Sequence, residues 1–454
     1  MQQISIDNQL IKYSNYVNEI WHTYINNISK NSHVFLKDMN YVQDMIKMYA
    51  NTVIINDNVK NNIKFNECFD ETPCNYVPNT ILTNEKINEI YDDLTKQKTI
   101  NWNLLRNKLD EMSNYLLFSN IIFDEYKKVL REKKSNTINV LILGSGPTGL
   151  YLANYINNIN LLAPRINLLV IDNRSVDGNR LPFSRNRIFG INFDMFSSFY
   201  SKFPCINELV AQGGIEIKYL ENILIILAYK YNIPFYFTNK IKNERILKKF
   251  ISKNKIDVIF DCTGGRFKND FITKIPNNFF NSEKILENDK FNVVKHQNEY
   301  QLQWKNNING KFFLSMEIYD DNDKYISTEL WTYNIIYAED VKLFYKIHNK
   351  CFKIKPKKIT EAIKYFNNIK DLNLSLAIQN VLINNANNKI KFYVIETNMY
   401  HKISISEVIK QSHQSTIYIG CGDTIFSSHF VVGAGLSRLL TFINYVVWYM
   451  QTLN

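Results

Sequence analysis

The 454-residue chain has few of the residues that build metal sites and disulfide frameworks, and those it has are dispersed. Its six cysteines are Cys68, Cys74, Cys205, Cys262, Cys351 and Cys421. No two of them form a CxxC pair, which argues against a disulfide scaffold and for a reducing, cytoplasmic compartment. The seven histidines are scattered as well, and no group of His, Cys and Asp has metal-ligand spacing. The sequence therefore predicts no metal site.

Long apolar runs are also lacking. The most apolar stretch, residues 430–450, is interrupted by Gly433, Gly435, Arg438 and Asn444. A membrane-spanning helix needs about 20 consecutive residues that are predominantly apolar. We therefore expect a buried helix in this stretch, and no membrane span.

Positive charge is in excess, with 54 Lys and Arg against 43 Asp and Glu and a formal net charge of +11. Such a charge favours acidic partners, namely an acidic protein, nucleic acid or an anionic membrane face. No basic run is interleaved with aromatic residues, so nucleic acid is not favoured among these partners. A lysine-rich composition that selects no partner is the other explanation of the charge.

The most informative segment joins a short aliphatic run to a helical pattern through Gly144-x-Gly146-x-x-Gly149. This strand–turn–helix order is typical of a dinucleotide-binding fingerprint. Gly144 allows the tight turn, Gly146 lets the backbone approach a pyrophosphate, and Gly149 lets the helix pack closely on the strand. The helix would begin near Pro147 and Thr148, where free N–H groups and the positive dipole end favour phosphate. A glycine turn that serves packing alone is the alternative.

A second aliphatic run, residues 166–172, follows and ends in an acidic side chain, Asp172. Its separation from Gly144 is long enough for a crossover helix. In a dinucleotide-binding unit, a carboxylate at this position accepts hydrogen bonds from a ribose hydroxyl. The two runs together predict that this part of the chain binds a dinucleotide.

The pattern of predicted helices and strands changes along the chain and divides it into four segments. They are a helical N-terminal extension at 1–135, the first part of a dinucleotide-binding α/β domain at 136–270, an inserted substrate-type domain at 271–411, and the rest of the α/β domain at 412–454. Strands that alternate with helices predict a parallel sheet in the second segment. Strands of alternating polarity predict an antiparallel sheet in the insert, with helices at about 338–350 and 359–387. The extension is interpreted as a cap on the core, with partner binding as the alternative.

Two further glycine motifs lie near the C-terminus, Gly422-Asp423 and then Gly433-x-Gly435, which precedes the last helical pattern. Together with the first glycine motif and the Thr-Gly-Gly at 263–265, they resemble the motifs of group A FAD-dependent monooxygenases. That family shares the fold of p-hydroxybenzoate hydroxylase, a Rossmann-like FAD-binding domain with an inserted antiparallel sheet.

Within that family, the stretch Phe183-Ser184-Arg185-Asn186 resembles the FSRNN stretch of the MICAL-type monooxygenase domain. A helical extension before the first glycine motif is similar to that domain as well. The resemblance covers residues 136–270 and 412–454 and implies a flavoprotein with FAD as its cofactor.

The resemblance also implies roles for particular residues. Asp423 would bond a ribityl hydroxyl of FAD, and the helix after Gly433 and Gly435 would direct its N-terminus at the flavin. Arg185, together with Arg174, would neutralise the FAD pyrophosphate. NADPH would reduce the flavin, and O2 would supply one oxygen atom to a substrate, which in the MICAL branch is a protein methionine.

The chain departs from the family pattern after the strand that ends at Asp261, where an Asp-Gly pair is usual. Thr263-Gly264-Gly265 stands there instead, which leaves open whether NADPH or another compound reduces the flavin. His429 lies close to the predicted flavin and is a weak candidate for a polar catalytic group. A histidine with a structural role is the more common case.

The leading interpretation is thus an FAD-dependent oxidoreductase, specifically a monooxygenase that oxygenates a substrate such as a protein side chain. Another FAD oxidoreductase on the same scaffold is the alternative within enzymes. A degenerate flavin-fold protein that acts as a basic binding module is the alternative outside them. The inserted segment carries no motif that identifies the substrate.

Overall fold

The structure is a computed structural model that describes most of the chain. The described residues are 2–32, 63–74, 76–96, 101–118, 123–131, 137–160, 165–183, 185, 188–190, 214–241, 243–267, 291–296, 299–304, 310–397, 399–411, 414–427 and 435–450. The helices are α1 Gln2–Ser32, α2 Phe65–Cys68, α3 Asn84–Lys96, α4 Trp102–Glu111, α5 Phe123–Arg131, α6 Pro147–Asn160, α7 Ile217–Lys230, α8 Glu244–Asn254, α9 Ala338–Ile347, α10 Ile359–Phe366, α11 Leu372–Asn384 and α12 Gly435–Met450.

The strands follow the same chain order. They are β1 Phe69–Glu71, β2 Thr80–Ile81, β3 Tyr115–Leu116, β4 Ile138–Leu143, β5 Ile166–Asp172, β6 Ser175–Val176, β7 Asn179–Arg180, β8 Ile188–Gly190, β9 Gly214–Glu216, β10 Phe235–Phe237, β11 Val258–Asp261, β12 Phe291–His296, β13 Glu299–Trp304, β14 Phe312–Tyr319, β15 Tyr325–Asn334, β16 Cys351–Ile354, β17 Lys389–Glu396, β18 Met399–Lys402, β19 Ser406–Gln411, β20 Gln414–Gly420 and β21 Phe426–Ser427. Short 3-10 turns lie at Met112–Asn114, Pro356–Lys358 and Gly422–Thr424.

A six-stranded sheet has the strand order β10-β5-β4-β11-β20-β19. Its first five strands are parallel, and β19 pairs antiparallel with β20 at one edge. The strands β4 and β20 are buried along nearly their whole length. Continuous aliphatic runs form strands of this kind because helices cover both faces of a parallel sheet. The parallel sheet predicted from these runs is present.

Helices pack on both faces of this sheet. On one face, Leu150 of α6, Leu224 of α7 and Leu440 of α12 join a single apolar core. On the other face, Leu130 of α5 and Leu247 of α8 form a smaller core with the sheet. Within the described part of the chain, no helix is both long enough and apolar enough to cross a bilayer.

The inserted segment contains antiparallel sheets, as its alternating polarity predicts. One has the strand order β1-β16-β17-β14-β15, and the other has the order β12-β13-β18-β21. Buried and partly exposed side chains alternate along most of β17, which buries one face of the sheet. Strand β1 comes from the N-terminal extension, so that region is not wholly helical and contributes a strand to the insert.

The long helix expected at 359–387 is two helices, α10 and α11. The chain breaks between them because Asp371 caps the second helix, accepting the N–H groups of Asn373 at 3.0 Å and Leu374 at 3.2 Å. The other helix of the insert, α9, lies within the predicted 338–350. The sequence pattern identified the helical stretch but missed the cap inside it.

One cysteine pair is bridged, which the dispersed spacing of the cysteines did not indicate. Cys74 and Cys351 are joined by a disulfide, with a Cα–Cα distance of 5.8 Å. Cys68, Cys262 and Cys421 are buried free thiols. Sequence spacing did not reveal the pair, because 277 residues separate its members and the pairing of β1 with β16 brings them together. One bridge of this kind does not make a disulfide scaffold, and the compartment stays a prediction.

The N-terminal helix α1 binds the segment through which the chain returns from the insert to the central sheet. Asn18 Oδ1 accepts the N–H groups of Ile405 at 2.9 Å and Ser406 at 3.0 Å, and the Ser404 hydroxyl at 2.8 Å. Trp21 Nε1 donates to the Lys402 carbonyl at 2.7 Å. Helix α1 therefore packs on the main core, and the role of the extension as a whole stays a prediction.

We expect Asn18→Ala to lower the free energy of unfolding by about 2–3 kcal/mol, because it leaves two backbone donors near Ser406 without their acceptor. The measurement is urea denaturation followed by tryptophan fluorescence. Asn15→Ala, at an exposed position of the same helix, is the matched control and should change stability by less than about 0.5 kcal/mol. Equal losses in the two variants would contradict this account of α1.

Candidate active site

Four parallel strands end at the same edge of the central sheet, and a motif follows each of them. The turn at 144–149 follows β4, Asp172 ends β5, residues 262–265 follow β11, and Gly422–Thr424 follows β20. The chain runs outward from β4 to β5 and β10 and then returns to place β11 on the other side of β4. The strands β4 and β11 therefore flank a topological switch point, where open α/β sheets bind ligands.

The turn at 144–149 needs glycine at two positions because backbone atoms lie against them. Gly144 has a φ of +94°, and a Cβ on Gly149 would lie 1.9 Å from the Gly144 carbonyl oxygen. The middle position differs. A Cβ on Gly146 would have Glu221 Oε1 at 3.8 Å and Arg174 Nη2 at 3.9 Å as its nearest neighbours. No backbone atom therefore crowds Gly146, in contrast to Gly144 and Gly149.

Helix α6 begins at this turn with Pro147 in its first position, where the fixed φ of proline suits a helix and its missing N–H costs nothing. Thr148 follows and is buried against the last motif. A Cβ on Gly422, which has a φ of +62°, would lie 2.5 Å from Thr148 Oγ1. The close contact of these two turns places the positive end of α6 at the carboxyl edge of the sheet, where it favours an anion.

The carboxylate of Asp172 is buried at this edge and has several donors. Ser145 gives its N–H at 2.8 Å and its hydroxyl at 2.6 Å to Oδ2, and the Arg174 N–H donates to Oδ1 at 2.7 Å. The guanidinium groups of Arg174 and Arg180 lie 3.3 Å and 3.6 Å from Oδ2. In this structure Asp172 fixes the glycine turn to the loop after β5. Its contact with a ribose hydroxyl stays a prediction.

Arg180 is fully buried and holds Ser145 from the other side. Its Nε donates to Ser145 Oγ at 2.6 Å and its Nη2 to the Ser145 carbonyl at 3.1 Å, while its guanidinium lies 3.6 Å from the ring centre of Phe183. Burial would raise the pKa of Asp172, but Arg180 and Arg174 hold it well below its usual range. Burial, with Arg174 beside it, lowers the pKa of Arg180 to about 10. Both groups are therefore ionised at neutral pH.

Three further arginines lie in the segments that follow β5 and β11 at this edge: Arg174 and Arg185 are half-buried, and Arg266 is exposed. Partial removal from water and the positive charges of Arg185 and Arg174 lower the pKa of Arg266, whereas Asp423 and Asp172 act in the opposite direction. The direction of this shift indicates that the three positive charges are near enough to interact. Arg174 and Arg185 were predicted from the sequence. Arg266 was missed because it follows Thr263-Gly264-Gly265, where the chain differs from the family pattern, and belongs to none of the motifs. Positive charge and the start of α6 thus occur at the same edge of the sheet, an arrangement that favours an anion.

A second carboxylate, Glu221 of α7, was also missed from the sequence. It is fully buried, and neither of its oxygens has a hydrogen-bond partner among the described residues. Its Oε1 would lie 3.8 Å from a Cβ on Gly146, so the carboxyl group is a direct neighbour of the glycine turn. Burial raises the pKa of Glu221, against the opposing effect of Arg174, Arg180 and Arg185. A lone acidic residue within the apolar run of α7 was the signal in the sequence.

The Gly422–Thr424 turn lies against the turn that follows β11. Thr424 Oγ1 accepts the N–H of Gly265 at 3.2 Å, and a Cβ on Gly264 would lie 3.7 Å from Asp423 Cβ. The Tyr400 hydroxyl of the insert donates to the Asp423 carbonyl. Asp423 itself is exposed at the edge. This turn therefore joins the α/β part to the insert, and strand β18 of the insert pairs with β21 directly after it.

The aspartate that the chain does carry near the expected Asp-Gly lies inside the protein. Asp261 is fully buried and accepts the N–H of Thr263 at 2.9 Å, the Thr263 hydroxyl at 2.6 Å and the Tyr418 hydroxyl. Its carboxylate thus holds the turn at 262–265 against β20. It does not replace the missing aspartate of the family pattern.

Some predicted residues lie outside the described part of the chain. They are His429, Gly433, Ser184 and Asn186. Gly435 is the first residue of α12. The roles of all five stay predictions, as does the assignment of the other glycines, Asp423 and the arginines to a cofactor.

Neither a protein-family model nor a curated protein sequence matches the chain. Solved structures show a weak likeness. The 2-methyl-3-hydroxypyridine-5-carboxylic acid oxygenase MHPCO aligns over 70% of this chain and 87% of its own, with 9% identity and a TM-score of 0.35. The p-nitrophenol 4-monooxygenase PnpA from Pseudomonas putida DLL-E4 aligns over 70% of this chain and 80% of its own, with 8% identity and a TM-score of 0.33. The tetracycline destructase Tet(51) aligns over 70% of this chain and 82% of its own, with 9% identity and a TM-score of 0.32. Values this low do not establish a common fold.

Proposed function

We propose that the chain is an FAD-dependent oxidoreductase, and specifically a monooxygenase, with its cofactor at the carboxyl edge of the central sheet. The observation that carries the proposal is the turn at Gly146, which no backbone atom crowds and which we call the cradle, beside the start of α6 and the positive charges of Arg174, Arg185 and Arg266. A diphosphate fits this donor set, because it needs backbone approach, N–H donors and positive charge at one place.

Different residues at this edge would contact different parts of FAD. Gly146 and the first N–H groups of α6 would contact the diphosphate, and Arg266 with Arg185 would balance its two charges. Asp423, exposed on its turn, would accept a hydroxyl of the ribityl chain. When bound, FAD supplies two-electron transfer and, once reduced, reaction with O2 that delivers one oxygen atom to a substrate.

The substrate would meet the cofactor where the insert joins this edge. Tyr400 of β18 donates to the Asp423 carbonyl and lies beside the turn at 264–265. The hydroxyl group of Tyr400 therefore reaches the boundary between the α/β part and the antiparallel sheet. We propose that the surface of the insert beside Tyr400 faces the substrate, with a protein side chain as the substrate class and NADPH as the reductant.

The test is an absorbance spectrum of the purified protein with added FAD, followed by NADPH without oxygen. We expect bound FAD with a Kd of about 1 μM or less, bleaching with NADPH, and return of the oxidised spectrum in air. Oxidised flavin that NADPH does not bleach would assign another reductant. Absence of FAD binding would contradict the proposal and favour the basic binding module.

A pair of arginine variants separates a built anion site from general positive charge. Arg266→Ser removes one of the three positive charges at this edge and should weaken FAD binding about tenfold or more, because a charge-assisted hydrogen bond to phosphate is lost. Arg245→Ser makes the same change at an exposed position of α8 and should leave FAD binding unchanged. Equal effects of the two substitutions would mean that net charge alone attracts the ligand.

A further inference from the structure

Glu221 is an unusual residue to find in an anion site. Its carboxyl group is fully buried, and both of its oxygens lack partners among the described residues, although a polar group in this position ordinarily has at least one. The same group lies beside the cradle that would hold a diphosphate, since Oε1 is 3.8 Å from where a Cβ on Gly146 would be. An ionised carboxylate at that point would repel the ligand that the rest of the site attracts.

The neighbouring charges do not remove this conflict. Arg174 donates to Asp172 and Arg180 donates to Ser145, and a bound diphosphate would draw on the charge of both arginines. The charged groups that act on Glu221 are Arg174, Arg180, Arg185 and Asp172. On the adjoining α4, Arg106 pairs with Glu216, and Asp110 pairs with Lys218 and accepts the Tyr219 hydroxyl. At the far end of α7, Lys230 donates to Asn88 of α3.

We propose that Glu221 binds the ligand as a carboxylic acid and donates its proton to an oxygen of the FAD diphosphate. This inference rests on the proposed function. A protonated carboxyl group has one O–H donor, so it gives the buried side chain a partner and turns a repulsive contact into a hydrogen bond. Burial already raises the pKa of Glu221, and a bound diphosphate would raise it further because it adds negative charge nearby.

A consequence is that FAD binding takes up a proton. Because the diphosphate raises the pKa of Glu221, affinity is full at pH values where the free protein has Glu221 protonated, and it falls as the pH rises above that range. The fall is about tenfold for each pH unit at the steepest. The diphosphate of FAD is a diester that does not titrate near neutrality. A proton taken up on binding is therefore bound by a group of the protein.

The experiment is isothermal titration calorimetry of FAD into the apoprotein between about pH 6 and pH 8, in buffers of different ionisation enthalpy. We expect uptake of up to one proton per FAD and an affinity that weakens with pH. Glu221→Gln should take up no proton and bind with an affinity independent of pH. Glu216→Gln, the same change at the residue that pairs with Arg106, should behave like the unaltered protein.

The outcomes distinguish failure of the role of Glu221 from failure of the proposed function. FAD binding without proton uptake in the unaltered protein overturns the role of Glu221 when Glu221→Gln binds FAD more tightly, because the carboxyl group is then ionised in both the free and the bound protein. Proton uptake that persists in Glu221→Gln also overturns it. If that variant does not fold, proton uptake by the unaltered protein and the fall of its affinity with pH still test the role. Absence of FAD binding overturns the proposed function itself, and this inference with it.

Discussion

Gly149→Ala should lower the free energy of unfolding by about 3 kcal/mol or more and abolish FAD binding. The added Cβ would lie 1.9 Å from the Gly144 carbonyl oxygen and 3.3 Å from Cys262 Cβ, so α6 would have to move away from β4. Alanine is intrinsically better than glycine in a helix by about 1 kcal/mol, so propensity acts in the opposite direction. Urea denaturation and FAD titration are the two measurements.

Gly146→Ala is the control for this prediction, because its Cβ would meet neighbours only at ordinary contact distances. We expect its stability to change by less than about 1 kcal/mol. Its FAD affinity should nevertheless fall about tenfold or more, since the methyl group occupies the approach to the backbone. The two variants would therefore both lose the ligand, but only one would lose the fold. Comparable unfolding energies for the pair would show that α6 tolerates displacement from the strand.

Arg180→Met should cost about 3–5 kcal/mol of stability, the second large effect. The substitution leaves Asp172 buried without its deepest cationic neighbour and removes the donors to the Ser145 hydroxyl and carbonyl. In the unaltered protein, the depressed pKa of Asp172 contributes stability at pH values above about 4 that is lost on acidification. That pH dependence should become smaller in the variant, as followed by urea denaturation across the acidic range.

Arg174→Met is the matched variant on the same carboxylate. The Arg174 side chain is 30% exposed, so its ion pair is screened by water and its loss should cost about 1 kcal/mol or less. Its FAD affinity should fall instead, because Arg174 borders the cradle at Gly146. If Arg174→Met destabilised the protein as strongly as Arg180→Met, the division between a structural and a ligand-facing arginine would be wrong.

The sequence allowed the central sheet to be predicted because its signals are local. Continuous aliphatic runs mark β4 and β5, and the glycines at 144 and 149 are fixed by backbone contacts that any such turn requires. The antiparallel insert was predictable for the same reason, since alternation along β17 is a property of neighbouring residues. The break at Asp371 had a local signal as well, the capping residue, which the long apolar pattern obscured.

The residues that were missed depend on contacts between distant parts of the chain. Arg180 and Arg185 lie in one arginine-rich segment and look alike in the sequence. The Arg180 side chain is buried because β6 pairs with β7 and because the backbone of Arg180 is hydrogen-bonded to that of Leu117. Glu221 reads as one polar residue in an apolar helix until the packing of α7 against α6 places it beside the cradle. The disulfide between Cys74 and Cys351 likewise follows from strand pairing, not from spacing.

The position of β20 in the central sheet has a consequence for biosynthesis. Strand β11 pairs with β4 on one side and with β20 on the other, and β20 is translated only after the whole insert. Until then the growing chain on the ribosome presents the apolar strand β11 with an unpaired edge, which is prone to non-native association. A nonsense mutation within the insert would make that state permanent, so truncated products should be substrates for chaperones and proteases. The glycine turn after β4 would be complete in such products, while Asp423 would be missing.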